Sequence, residues 1–311
     1  MGKGKGFGKV ILFNEHIVVY GVPSVVSGIE QATTAIVEQS KGKGWSLDDC
    51  RPATPGYKED KFEQQKDSIV RVLKAAGINP ARKPIKITFG GNLVAASGIG
   101  ASAASCVALA RALSDEFHLG FADDRINEIA YEGERAYHGT PSGVDNTAAT
   151  YGGLLWFVRG TPNVMERIKI KEPVEIVMGN TGIVANTSAV VAGVRERKKK
   201  YPEKYNKIFV AAKELVCDAR KAIESFDLKK VGRLMDENHK QLQAIELSCK
   251  ELDFLVELAR GQGALGAKLT GGGCGGNVVA LTPGRVLQEK VAKAIEKEGF
   301  KALRTRIGVS A

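Results

Sequence analysis

The stretch Glu134-Arg-Ala-Tyr-His-Gly-Thr-Pro-Ser-Gly-Val-Asp145 holds two carboxylates eleven residues apart, the first near a helix end and the second just past a Pro-Ser-Gly turn. Upstream lies a glycine-rich loop with serines, Ser97-Gly-Ile-Gly-Ala-Ser-Ala-Ala104. A glycine loop that opens a helix can hold phosphates, because the free amides and the dipole of a helix start favour negative charge. A hydroxyl with a carboxylate can hold Mg²⁺. A second carboxylate can orient or deprotonate an alcohol. These are the parts that phosphoryl transfer to a small alcohol requires.

Each part also has a plainer reading. Gly98-Ile-Gly-Ala-Ser102 is not a Walker A loop, since no Gly-Lys-Ser/Thr ends it. Glycines in a strand-to-helix turn often serve conformation alone. Here the loop runs into Ala103-Ala-Ser-Cys-Val-Ala-Leu-Ala110, a tightly packing helix whose amides face back to the loop. Ser102 ends the loop, where its hydroxyl can reach a cation that bridges phosphates. Glu134 alone reads as a surface ion pair with Arg135, and Asp145 as a turn cap. The glycines and Pro141 around Asp145 constrain the backbone and favour a positioned side chain.

Lys9 starts the first strand pattern and would matter if it met Asp145. An ammonium there lowers the carboxyl pKa and polarises a hydroxyl. Glu15-His16 breaks two apolar stretches and lines either a turn or a pocket. His16 is accordingly a turn histidine or a contact for a substrate carboxylate. Gly271-Gly-Gly-Cys-Gly-Gly276 is too glycine-rich for one tight turn, so two backbones pack closely or a ligand approaches. Thr187 and Ser188 mark a polar patch, and His239 falls on an amphipathic helix as a structural residue.

These residues need elements to hold them. Val10–Phe13, Ile17–Tyr20 and Pro23–Ile29 read as short apolar strands, and Ala32–Gln39 alternates as a half-buried strand does. Lys41–Gln65 is polar, with Pro52, Pro55 and Gly56, and reads as a surface excursion. Helical spacing covers 67–76, a strand over 85–89 enters the glycine loop, and helices follow over 103–117 and 125–138, the latter capped by Asp123 or Asp124. Strands are expected over 153–158 and 174–179. The last third is helix-rich, over 203–226, 228–242, 250–261 and 285–298, with strands over 265–269, 277–281 and 303–308.

Composition narrows the class. Hydrophobic residues make up 43% of 311, enough for a substantial core in two domains or one large one. No apolar run approaches a membrane span, and the basic start Met1–Lys9 lacks the apolar segment of a secretory signal. Five scattered cysteines and four histidines show neither C-x-x-C nor H-x-x-x-H spacing, which argues against zinc and for reduced thiols. The net charge of +10 suits an anionic ligand. Its densest run, Arg195–Lys200, reads as a solvated helix start or loop, and with only 6% aromatics no nucleic-acid surface is expected. Cytoplasm is the default compartment. Lys9-Val10 with His16-Ile17 loosely resembles an N-terminal peroxisomal address, though catalysis accounts for the same residues. A homodimer is the assembly kept in view.

Five segments in order resemble the GHMP small-molecule kinases, and within them the branch that phosphorylates mevalonate. Lys9-Val-Ile-Leu-Phe-Asn-Glu-His-Ile-Val-Val-Tyr-Gly21 is similar to that branch's first motif, and Ser97–Ala104 to its phosphate loop. Gly133–Asn146 is very close to G-E-x-x-x-H-G-x-P-S-G-V-D-N. Asn186–Arg195 and Lys268–Gly276 resemble two further motifs. The resemblance implies an α+β two-domain fold. A ribosomal protein S5 domain 2-like N-terminal domain would span 1–175 and contain a left-handed crossover, against the usual handedness. A ferredoxin-like C-terminal domain would span 176–311.

It also implies roles. Ser102 and Glu134 would hold Mg²⁺ on the ATP phosphates, which Gly98, Gly100, Ala101, Ser102 and Ala103 would cradle. Asp145 would orient or deprotonate the C5 hydroxyl of mevalonate beside Lys9. Glu15, His16 and Thr187 would contact mevalonate, with His16 toward its carboxylate. Three positions depart from the pattern: Asn14 for a glycine, Ala101 for the first serine of the loop and Val94 where relatives often carry proline. Asn tolerates the left-handed region should position 14 need it. Phosphomevalonate kinase and galactokinase remain alternatives, the latter with a different first motif. A ligand sensor on this fold would typically lack Asp145 or Lys9.

Overall fold

The computed structural model describes residues 1–95, 98–184 and 186–309. They form two compact units, neither continuous in sequence: 1–9 with 28–152, and 10–27 with 153 onward.

The first unit opens with β1 (Gly2–Phe13), whose early residues alternate Gly and Lys. The alternation has a steric cause. A Cβ on Gly2, Gly4 or Gly6 would lie 2.2, 2.0 or 2.2 Å from the carbonyl oxygens of Ala112, Ala108 and Ala104. Strand backbone therefore rests directly on the α3 helix (Ala101–Glu116), whose alanines recur every four residues on that face. Between them come β2 (Ser24–Gln39), β3 (Trp45–Asp49), the short α1 (Tyr57–Asp60), α2 (Phe62–Ala75) and β4 (Ile85–Gly91). β4 pairs antiparallel with β2 from Thr33 to Gln39 and parallel with β3. Helix α4 (Asp123–His138) packs on α2 and α3, and α5 (Val144–Tyr151) packs on α3. The core includes Ile85, Ile87 and Phe89 of β4, Val107 and Leu109 of α3 and Ile129 of α4, all buried.

The second unit contains β5 (Leu154–Val158), β6 (Val164–Ile168), β7 (Val174–Asn180), α6 (Thr187–Lys200), α7 (Pro202–Glu224), α8 (Leu228–Ala244), α9 (Lys250–Gly261), β8 (Gly266–Thr270), β9 (Asn277–Leu281), α10 (Arg285–Lys297) and β10 (Lys301–Ile307). The order β10-β7-β9-β8 is antiparallel throughout. With helices between β7 and β8 and between β9 and β10, this is the ferredoxin-like arrangement expected. Its core joins Val177, Leu255, Leu269, Val278 and Ile295.

Four expectations need correction. Ile17–Tyr20 is a 3₁₀ turn rather than a strand, because His16 (φ 57°) and Gly21 (φ 78°) turn the chain at both ends. Pro23–Ile29 and Ala32–Gln39 belong to one long strand, β2. The polar stretch 41–65 contains β3, α1 and the start of α2. The basic run Arg195–Lys200 ends a helix instead of starting one, where its cations complement the helix dipole. Two of them are also engaged locally: Arg197 donates to the Tyr205 hydroxyl at 3.2 Å, and Lys199 meets Glu196 at 3.0 Å.

Candidate functional site

In the first unit, the glycine loop leads into α3 through Gly98 (φ 73°) and Gly100 (φ 77°), both left-handed. Ser97, read as the start of this loop, lies outside the described residues. Ala104 N–H closes the first helical turn onto Gly100 O at 3.0 Å. Ala101, Ser102 and Ala103 therefore present amides with no intrahelical acceptor. Among the described residues no side chain caps this helix start. Replacing the loop's first serine by Ala101 leaves these backbone donors in place.

The charged residues gather at the same place. Lys9, near the middle of β1, is 7% exposed and donates its backbone N–H to Ile99 O at 2.9 Å. Its Nζ lies 3.0 Å from Asp145 Oδ1. Asp145 sits in the first turn of α5, behind Gly143 at φ 88°. Burial would raise the Asp145 carboxyl, but the Lys9 ammonium outweighs it and holds the group below the ordinary aspartate value. Gly100 is the third member. A Cβ there would meet Lys9 Cγ at 2.8 Å and Asp145 Oδ1 at 3.6 Å.

Glu134 lies on α4 and is 1% exposed. The Ser102 side chain favours its ionised form, and its Oε2 is 3.7 Å from His138 Nε2, one turn on. Its Oε1 is buried without a hydrogen-bond partner. Burial, aided by the negative charge of Asp145, pushes the Glu134 carboxyl up to about 8, while Ser102 and Lys9 oppose. The surface pairing with Arg135 does not occur, since Arg135 meets Glu132 instead, at 3.3 Å.

In the second unit, His16, Thr187 and the second glycine cluster converge on Gly272. His16 Nε2 donates to Gly272 O at 2.6 Å, leaving the buried Nδ1 without a partner. Burial lowers the His16 pKa. Thr187 begins α6 behind Asn186, whose side chain caps the helix by accepting from Ala189 N at 3.1 Å. A Cβ on Gly272 would lie 2.7 Å from Thr187 Oγ1. Glu15 is set deeper. It is fully buried, with its carboxylate against the equally buried Lys268 ammonium. His239 is structural, accepting from Leu269 N at 3.3 Å through Nδ1 and meeting Asp253 at 3.1 Å through Nε2.

Two features escaped the sequence reading. Lys268 lies within a quoted motif, yet nothing marked it as the charge partner of Glu15. A lysine inside an otherwise apolar strand pattern was the available signal. His138 was likewise part of a motif, and its i,i+4 spacing from Glu134 put it on the same helix face.

Residues 66–153 match the GHMP kinases N terminal domain and residues 219–302 the GHMP kinases C terminal domain. A mevalonate kinase of Pyrococcus horikoshii is 35% identical, with 96% of this chain and 93% of that protein covered. One of Pyrococcus abyssi is 34% identical over the same shares. Among solved structures, L. major mevalonate kinase in complex with R-mevalonate is 39% identical, with a TM-score of 0.94 over 100% of this chain and 97% of that one.

Proposed function

Because the chain belongs to the GHMP kinases, we infer that it is an ATP-dependent phosphotransferase that phosphorylates the C5 hydroxyl of (R)-mevalonate, a step of isoprenoid biosynthesis. The observation that carries the reading is the Lys9–Asp145 pair, 3.0 Å apart and wedged against Gly100 at the start of α3. A non-catalytic sensor has no need to keep both charges. We also divide the chain into family domains over 1–175 and 176–311, a reading supported by family matches over 66–153 and 219–302 that lie on either side of residue 175.

The amides of Ala101, Ser102 and Ala103, with Gly98 and Gly100 allowing close approach, bind phosphate oxygens. Asp145, ionised at neutral pH beside Lys9, accepts a hydrogen bond from the substrate hydroxyl and holds its oxygen for in-line attack. Lys9 stabilises negative charge as it develops on that oxygen. His16 and Thr187 bind mevalonate, with His16 toward the carboxylate. The full burial of Glu15 gives it a supporting part, holding Lys268 and the turn that carries His16.

The residues suit a divalent cation. Glu134 offers a buried carboxylate oxygen with no partner, and the Ser102 hydroxyl lies beside it. Both are hard oxygen donors of the kind Mg²⁺ takes together with phosphates and water. When bound, Mg²⁺ would neutralise phosphate charge.

The test is ADP release with MgATP, with mevalonate, phosphomevalonate, galactose and homoserine offered separately. Turnover with mevalonate alone is expected, and turnover only with another alcohol would move the substrate assignment.

A further inference from the structure

Arg51 lies in the polar stretch expected to be a surface excursion, yet it is 6% exposed. Its guanidinium forks onto Asp49, Nε donating to Oδ1 at 2.9 Å and Nη2 to Oδ2 at 2.6 Å, and it lies 5.0 Å from the centre of the Phe89 ring. Nη1 donates to Ser105 Oγ. Ser105 Oγ donates in turn to the carbonyl of Ala101 at 2.7 Å. Ala101 is the first residue of α3, next to Ser102. A buried permanent cation thus acts through one hydroxyl on the helix start read as the phosphate site.

The residues just after Arg51 hold the opposite end of the loop. Ala95 N donates to Pro52 O at 2.9 Å, Thr54 N to Ala95 O at 3.1 Å, and Thr54 Oγ1 to the same carbonyl at 3.2 Å. Residues 51–54 therefore fasten the chain ahead of Gly98 and, through Ser105, behind Gly100. The fastening is itself anchored, since Asp49 also accepts from Gln65 Nε2 of α2 at 2.8 Å. Burial would raise the Asp49 carboxyl, but the bonds from Arg51 hold it at about 2. An ion pair this deep is a costly way to gain stability alone. The planar fork of arginine fixes a geometry that lysine does not reproduce.

We infer that Arg51 is a positioning residue for nucleotide binding. Through Ser105 and Ala101 it sets the first turn of α3, and so the direction of the 101–103 amides and the Ser102 hydroxyl. The inference rests on reading 98–103 as the phosphate loop.

The test uses Ser105→Ala, Ser105→Thr and Arg51→Lys in the full chain. MgADP is titrated calorimetrically without any acceptor alcohol, and KM for ATP, KM for mevalonate and Tm are measured alongside. Ser105→Ala is expected to weaken MgADP binding and raise KM for ATP about fivefold, the equivalent of one net hydrogen bond. Arg51→Lys should do more. KM for mevalonate should stay put, and Ser105→Thr, which keeps the hydroxyl, should retain affinity. Unchanged MgADP affinity in a folded Ser105→Ala protein overturns the inference. So does a rise of both KM values in step with a falling Tm, the mark of a merely structural role. If Arg51→Lys does not fold, Ser105→Ala decides, because it leaves the Asp49 fork intact. If the wild type binds MgADP but does not phosphorylate mevalonate, the acceptor assignment fails, and the titrations still judge Arg51.

Discussion

Lys9 Nζ stands 3.0 Å from Asp145 Oδ1, and Gly100 passes so close that a methyl there would meet the lysine stem at 2.8 Å. The pair is therefore held by backbone shape as well as by charge. A lysine with 8% of its side chain exposed cannot swing away, while Asp145, 33% exposed, faces outward from it.

Asp145→Asn keeps the shape and removes the charge. Its kcat with MgATP and mevalonate should fall at least about a hundredfold, the low end for general-base or charge-stabilising groups. The circular dichroism spectrum should not change. A kcat near wild type would sink the assignment of Asp145.

Gly100→Ala tests the backbone half of that relationship. A left-handed φ of 77° costs a residue with a Cβ roughly 1–2 kcal/mol, and the methyl must displace Lys9. Activity should drop about tenfold or more through misplacement of the pair, with only a modest loss in Tm. Steady-state kinetics beside a thermal melt separate the two effects.

Glu134 carries a pH prediction. Its carboxyl sits at about 8 in the folded chain against 4.5 ordinarily. Between those values the native state keeps a proton that the unfolded chain releases, so cation-free stability falls as pH rises through that window. Glu134→Gln should flatten that part of the Tm profile. Adding MgADP should raise the wild-type Tm more at pH 8 than at pH 6, because a cation at Glu134 displaces the proton. An unchanged profile in Glu134→Gln counts against the buried carboxylate as its source.

Asn14→Gly restores the residue of the family pattern, yet it should destabilise. Asn14 has φ 69°, which glycine tolerates better. Its side chain, however, donates to Pro23 O at 2.7 Å and Ala212 O at 3.1 Å, and accepts from Asn238 Nδ2 at 3.1 Å. Losing these buried bonds should cost about 2 kcal/mol or more, read from urea denaturation. A more stable glycine variant would show the network to be decorative.

What was legible in the sequence was local. Lys9, Ser102, Glu134 and Asp145 stood out because glycine, proline and charge clustered around them, and the four do lie together. The strands and helices of the C-terminal half, apart from α6, could be anticipated from their spacing, whereas their ferredoxin-like arrangement was implied only by the family resemblance. Non-local causes were not visible. Ile17–Tyr20 has the apolar texture of a strand, and the positive φ of His16 and Gly21 on either side makes it a turn. The segment around Arg51 looks solvated until Asp49, Phe89 and Ser105, distant in sequence from one another, close around it. Helix α5 was missed because its eight residues follow a Pro-Ser-Gly turn that dominates the local signal.

In the sequence, the Gly-Lys alternation of β1 read only as a basic start without the apolar segment of a secretory signal. Its contact with α3 has a consequence for how this protein can evolve. In an ordinary core, a larger side chain on one element can be accommodated by a smaller one opposite. Here the atoms facing Gly2, Gly4 and Gly6 are the carbonyl oxygens of Ala112, Ala108 and Ala104, which every amino acid carries. No second-site substitution on the helix can make room. The three glycines are thus without suppressors, whereas Lys3 and Lys5 between them, both exposed, meet no such steric limit.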